Sequence, residues 1–143
     1  MSAASNYLEN ELLDHVLGEN TKNFTPPSNL YLGLWTADNG LEGGTLTGEV
    51  ANANGYARQN INVDSSSGAF DNAASASTSN TQTITFPAAS GGNWGTITHI
   101  AIMDAAAHGT GNVLFHGAVT TSKTIEDGDT FQVSAGNLTI TLD

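Results

Sequence analysis

Apolar and polar positions change period once along this chain. Near the N-terminus, Leu8, Leu12, Leu13, Val16 and Leu17 recur at three- and four-residue spacing, the period of a helix with one apolar stripe. Asn6 can cap that helix with Glu9 three residues on, and Gly18 stands where it would stop, so a helix is expected over Asn6–Leu17. Three turns are marginal alone, and the stripe must pack on the body of the protein or on a neighbour.

Pro26 and Pro27 forbid helix, and beyond them the period shortens to two. Residues 30–35 read as a strand. Residues 56–63 follow, with Ala57, Gln59, Ile61 and Val63 on one face and Tyr56, Arg58, Asn60 and Asn62 on the other. Residues 81–86 set Ile84 and Phe86 against threonines. Residues 97–104 and 113–119, joined through Gly109-Thr110-Gly111-Asn112, are expected to pair antiparallel at the sheet centre. Residues 122–125 lead into an Asp127-Gly128 turn, and strands at 131–134 and 138–142 close the chain.

Two stretches fall outside this alternation. Residues 36–54, with Gly40, Gly43, Gly44 and Gly48, read as a long turn-rich loop and a candidate exposed contact loop. Residues 64–80, rich in Ser, Ala and Asn, are expected as a partly ordered crossing between two sheets. Seven or eight short strands with turns between them specify a mainly β fold, an antiparallel β-sandwich or jelly-roll-like domain with one short N-terminal α-helix. Residues 1–24 are read as the helix and its lead-in, and residues 25–143 as a single β-sandwich domain.

Composition narrows the partners. Three Lys and Arg stand against 14 Asp and Glu, and the net charge of −11 repels phosphate backbones and anionic lipid. Neither nucleic acid nor a membrane is therefore expected as a partner. Only 12% of residues are charged, so the surface must be largely Ser, Thr, Asn and Gly. The absence of cysteine excludes disulfides and thiolate chemistry. No apolar run approaches the roughly 18 residues of a membrane span. The first residues lack the basic region of a secretory signal, so a soluble protein made in the cytoplasm is expected.

Candidate chemistry is thin. His15, His99, His108 and His116 show no metal-ligand spacing, although His99 and His116 lie on neighbouring strands and can face each other. No Gly-x-Ser-x-Gly elbow occurs, and Glu126, Asp127 and Asp129 share a tight turn, better explained by exposure than by acid–base catalysis. The glycines of residues 40–48 precede no helix and carry no Gly-Lys-Ser ending, so they do not cradle phosphate. A sugar-binding platform would need Trp35 and Trp94 to face solvent together. The expectation is a protein that is not an enzyme and holds no cofactor or metal.

Several motifs together carry a resemblance. They are Asn6-Tyr7-Leu8-Glu9-Asn10-Glu11-Leu12-Leu13-Asp14-His15-Val16-Leu17-Gly18, Leu30-Tyr31-Leu32-Gly33-Leu34 after a Thr-Pro-Pro, and Gly55-Tyr56-Ala57-Arg58-Gln59. Thr85-Phe86-Pro87-Ala88-Ala89, Trp94-Gly95-Thr96-Ile97-Thr98-His99, Gly117-Ala118, Thr121-Ser122-Lys123 and the terminal Leu138-Thr139-Ile140-Thr141-Leu142 continue it. Over nearly its whole length the chain resembles a family of small tailed-bacteriophage structural proteins, often labelled tail fibre proteins. The resemblance implies a virion component, made in the host cytoplasm.

A compact acidic domain with no shaft, coiled coil or receptor-destroying site then favours a capsid decoration or cement protein. Such a protein binds the outer shell and stabilises it by mass action. The alternative is a globular tail-fibre or receptor-binding component that contacts the host surface. In the decoration reading the partner is the major capsid protein or another virion protein. Self-association, as in a trimer, would add avidity. The protein interface is expected on the helix stripe, at Tyr7, Leu8, Leu12, Leu13, Val16 and Leu17.

Overall fold

The computed structural model describes residues 3–18, 24–61 and 69–142. Its order is β1 (Ala3–Ala4), α1 (Asn6–Leu17), β2 (Tyr31–Trp35), a 3-10 turn (Leu41–Gly43), β3 (Gln59–Asn60), β4 (Ser77–Ser79) and β5 (Ile84–Thr85). Four more strands follow: β6 (Gly95–Met103), β7 (Val113–Ile125), β8 (Gln132–Val133) and β9 (Thr139–Thr141). All named pairs are antiparallel, and the main sheet runs β1-β7-β6-β2-β3. Two ribbons, β4-β9 and β5-β8, complete the strands.

Side-chain alternation gives the main sheet two apolar faces. Leu32, Leu34, Ile97 and Ile102 enter one cluster with Ile84, Phe86, Phe131, Leu138 and Ile140, which come from the ribbons and their flanks. The ribbons therefore form the second layer of a sandwich, closed by aromatic edges such as Phe86 on Phe131, 5.9 Å apart. On the opposite face, Trp35, Ala101, Met103 and Val113 form a smaller cluster with Leu41 of the 3-10 turn. Each large side chain buried this way contributes about 1.5–3 kcal/mol. The mainly β antiparallel sandwich with one helix is thus present. The described strands divide five, two and two, which is not the two four-stranded sheets of a jelly roll.

Several local expectations need correction. Ser5, not Asn6, caps α1, its side chain accepting from the backbone N–H of Leu8. The strand expected at 113–119 and the lead-in at 122–125 are one strand, paired with β6 from Met103 opposite Val113 to Gly95 opposite Ile125, with a register shift between the two segments where His99 lies opposite Ala118 and Ile97 opposite Lys123. Tyr56 and Arg58 are buried and Ala57 is exposed, the reverse of the burial that polarity alone would assign. Strand pairing there is limited to Gln59 and Asn60, which lie opposite Leu32 and Tyr31. The loop 36–54 is pinned rather than free, with Leu41 and Val50 buried and Trp35 bridged to Glu49. The described end of the 64–80 segment supplies β4, while Asn62, Val63 and residues 64–68 lie outside the described residues. At the N-terminus, β1 adds to the main sheet, with Ala3 opposite His116 and Ala4 opposite Phe115.

Candidate interaction surface

The placement of α1 follows from one serine. Ser5 is fully buried; its backbone N–H donates to the Leu114 carbonyl at 3.0 Å, and its hydroxyl donates to the carbonyl of Val113. The same oxygen accepts from Leu8 N at 3.3 Å and so caps the helix. The first turn is thereby fixed to the edge of β7. At the other end the Gly18 N–H donates to the Asp14 carbonyl at 2.9 Å, and the backbone leaves the helix extended.

Fixed at its first turn, α1 divides the expected stripe in two. Leu8 is buried in the main core, and Tyr7 and Leu12 pack partly against it. Leu13, Val16 and Leu17 stay 57%, 65% and 74% exposed. Their i, i+3, i+4 spacing puts all three on one face. A single exposed leucine needs no explanation, but three contiguous apolar side chains on a short helix form a patch of the kind that marks interaction sites.

Beside the helix lies a groove of about 530 Å³, lined among others by Glu9, Leu12, Asp38, His99, His116 and Leu142. The histidines share a face of the main sheet, His99 lying opposite Ala118 and His116 opposite Ala101, one diagonal step apart. They do not pair with each other. His116 Nε2 is 2.9 Å from Glu42 Oε2, and His99 Nδ1 is 2.9 Å from Thr98 Oγ1. Asp38 accepts from the N–H groups of Gly40 and Leu41, both at 2.9 Å. These backbone donors, Leu41 foremost, hold its carboxyl below the usual carboxylate range, and both histidines add to the effect. Among the described residues, no three His, Asp or Glu are grouped as a metal would require.

The densest polar constellation is structural. Arg58 Nε donates to Glu49 Oε1 at 2.7 Å, and its Nη2 donates to Oε2 at 2.8 Å. Its Nη1 reaches the carbonyls of Ala105 and Thr110 at 2.8 and 2.9 Å. Tyr56 donates to Glu49 Oε1 at 3.1 Å and accepts from Leu34 N at 3.0 Å, while Gly109 N donates to Glu49 Oε2 at 3.1 Å. Burial pushes the Tyr56 hydroxyl well above its ordinary range, with Glu49 adding to the shift. Arg58 also lies 5.9 Å from the Trp35 ring centroid. The network ties residues 36–54 and the β6–β7 connection to the sheet, and it explains the Tyr56-Ala57-Arg58 motif. Nothing in the alternation pointed to it, since a buried arginine and glutamate become legible only once their pairing is seen.

The remaining candidates also resolve into scaffold. Asp127 Oδ1 accepts from Gly91 N at 2.9 Å, and Asp129 Oδ2 accepts from Glu126 N at 3.1 Å, around a turn in which Gly128 has φ 90°. His108 Nε2 contacts the Val50 carbonyl at 3.0 Å. Trp35 and Trp94 are both buried, so they form no solvent-facing platform for a sugar.

No curated protein matches this chain. A family model described as podophage GP4 fiber I protein gp80 matches residues 3–141, almost the entire length. With its sandwich, its N-terminal helix and the motifs now placed within them, the chain belongs to the podophage GP4 fiber I protein gp80 family, and is a phage virion structural protein.

Proposed function

We propose that this protein is a globular component of a podophage fibre, seated on a neighbouring virion protein through the distal half of α1. The observation that carries the seating is the exposure of Leu13, Val16 and Leu17 on a helix whose first turn is fixed to the sheet. Leu8 and, in part, Tyr7 and Leu12 satisfy the domain's own core, and the remaining stripe is available to another chain. The description of the family supports the fibre location. The decoration reading, in which the domain binds and stabilises the outer capsid, draws only on its compact acidic character. In either place the protein acts by binding, without turnover.

Gold-labelled antibody against the purified protein, applied to negatively stained particles, tests the location. Label confined to the tail vertex and its appendages is expected. Label spread evenly over the shell would return the assignment to capsid decoration.

A further inference from the structure

We infer that the surface which receives α1 is a different virion protein, presenting an apolar pocket rimmed by lysine and arginine, and not a second copy of this chain. The inference rests on the seating proposed above and names the chemistry of its partner.

Two carboxylates border the exposed stripe. Glu9 lies one turn before Leu13 on the same side of the helix, Asp14 flanks the stripe, and both are exposed. The helix C-terminus, beside Leu17, adds the negative end of the macrodipole. Glu9 also lines the groove alongside α1, together with Leu12, Asp38, His99 and His116. A partner that covers Leu13 and Val16 therefore brings its own rim against Glu9 and Asp14, and complementarity there requires cations.

No described Lys or Arg of this chain lies at this face. The chain has three Lys and Arg in all, Lys22, Arg58 and Lys123, against 14 acidic residues. The Arg58 side chain is 0% exposed and committed to Glu49, Ala105 and Thr110. Lys123 Nζ donates to the Thr130 carbonyl at 2.9 Å on a distant part of β7, and Lys22 lies outside the described residues. Two copies meeting through this face would set acid against acid, each carrying a net charge of −11.

The test uses the full chain and particles assembled without it, with association followed by surface plasmon resonance on immobilised particles. Wild-type binding is expected to weaken steadily with added salt. The doubly substituted Leu13→Asp, Leu17→Asp protein is expected to lose binding, while Glu9→Lys, Asp14→Lys associates about tenfold more slowly and with a flatter salt dependence. Circular dichroism checks that these exposed substitutions leave the sandwich intact. If the aspartate variant binds like wild type, the seating itself fails and this inference falls with it. If that variant fails to bind, while the lysine variant and added salt leave association unchanged, the seating stands and the basic rim is wrong. If wild-type chain self-associates in sedimentation velocity and the aspartate variant does not, a second copy covers the face and the inference is overturned.

Discussion

Replacing Arg58 by methionine isolates the polar network that holds the loops on the sheet. The substitution keeps most of the side-chain volume and removes four hydrogen bonds, two to Glu49 and one each to Ala105 and Thr110. It leaves the Glu49 carboxylate, whose side chain is 1% exposed, without its counter-charge. Breaking a buried pair from one side costs about 3–5 kcal/mol, a large share of the roughly 5–15 kcal/mol that holds a typical domain folded. With a urea slope near 2 kcal/mol/M, the unfolding midpoint should fall by about 2 M. Fluorescence of the buried Trp35 and Trp94 reports the transition. Adding Glu49→Leu to Arg58→Met removes the stranded charge and should recover part of the loss, the remainder reflecting the Tyr56 hydroxyl and Gly109 N–H that lose Glu49 as acceptor. A loss below about 1 kcal/mol for Arg58→Met alone, or a double variant no more stable than the single one, would refute the reasoning.

Three further outcomes follow from the same geometry. Leu8→Ala should cost about 2–5 kcal/mol in urea unfolding, whereas Leu17→Ala on the same helix should stay within about 0.5 kcal/mol. Equal losses would mean that the stripe is not divided. In an alkaline absorbance titration, Tyr56 should stay protonated beyond the range where a free tyrosine ionises and release its proton only as the fold opens. Its folded pKa is raised, so its contribution to stability is full below the unfolded value near 10 and is lost as pH rises. Asp38 has the opposite sign. Its carboxyl is depressed from 3.8, so its contribution is present above that value and lost as pH falls through the folded pKa. Asp38→Asn should accordingly be less stable than wild type at neutral pH, with the gap closing below about pH 4 in pH-dependent thermal melts.

The parts of this fold legible in the sequence are those governed by period and punctuation. Leu8 to Leu17 at helical spacing, with Gly18 after them, specify α1 with its observed bounds, because one face of the first turns meets the core. The long alternating runs around Ile97–Met103 and from Val113 onward specify the central pair. Polarity misleads at Tyr56 and Arg58, where a buried guanidinium satisfied by Glu49 overrides the usual outward placement of charge. The threonines at 120–121 resemble a break, and the ladder does shift register there, between His99 opposite Ala118 and Ile97 opposite Lys123, although β7 runs on as an exposed strand. For the interaction surface, the sequence identifies the stripe but not its division. The division depends on Ser5 bonding to Val113, Leu114 and Leu8, and the long-range pair with Val113 spans 108 positions of chain that no local pattern connects.

The central claim is that this domain sits in a fibre with the distal face of α1 against another virion protein. Cryo-electron microscopy of the intact particle, refined locally at the tail vertex, tests it most directly. The account predicts the sandwich among the tail appendages, with Leu13, Val16 and Leu17 covered by a different chain whose lysines or arginines face Glu9 and Asp14. The same domain repeated across the capsid lattice, or found at the tail with that helix face open to solvent, would contradict it.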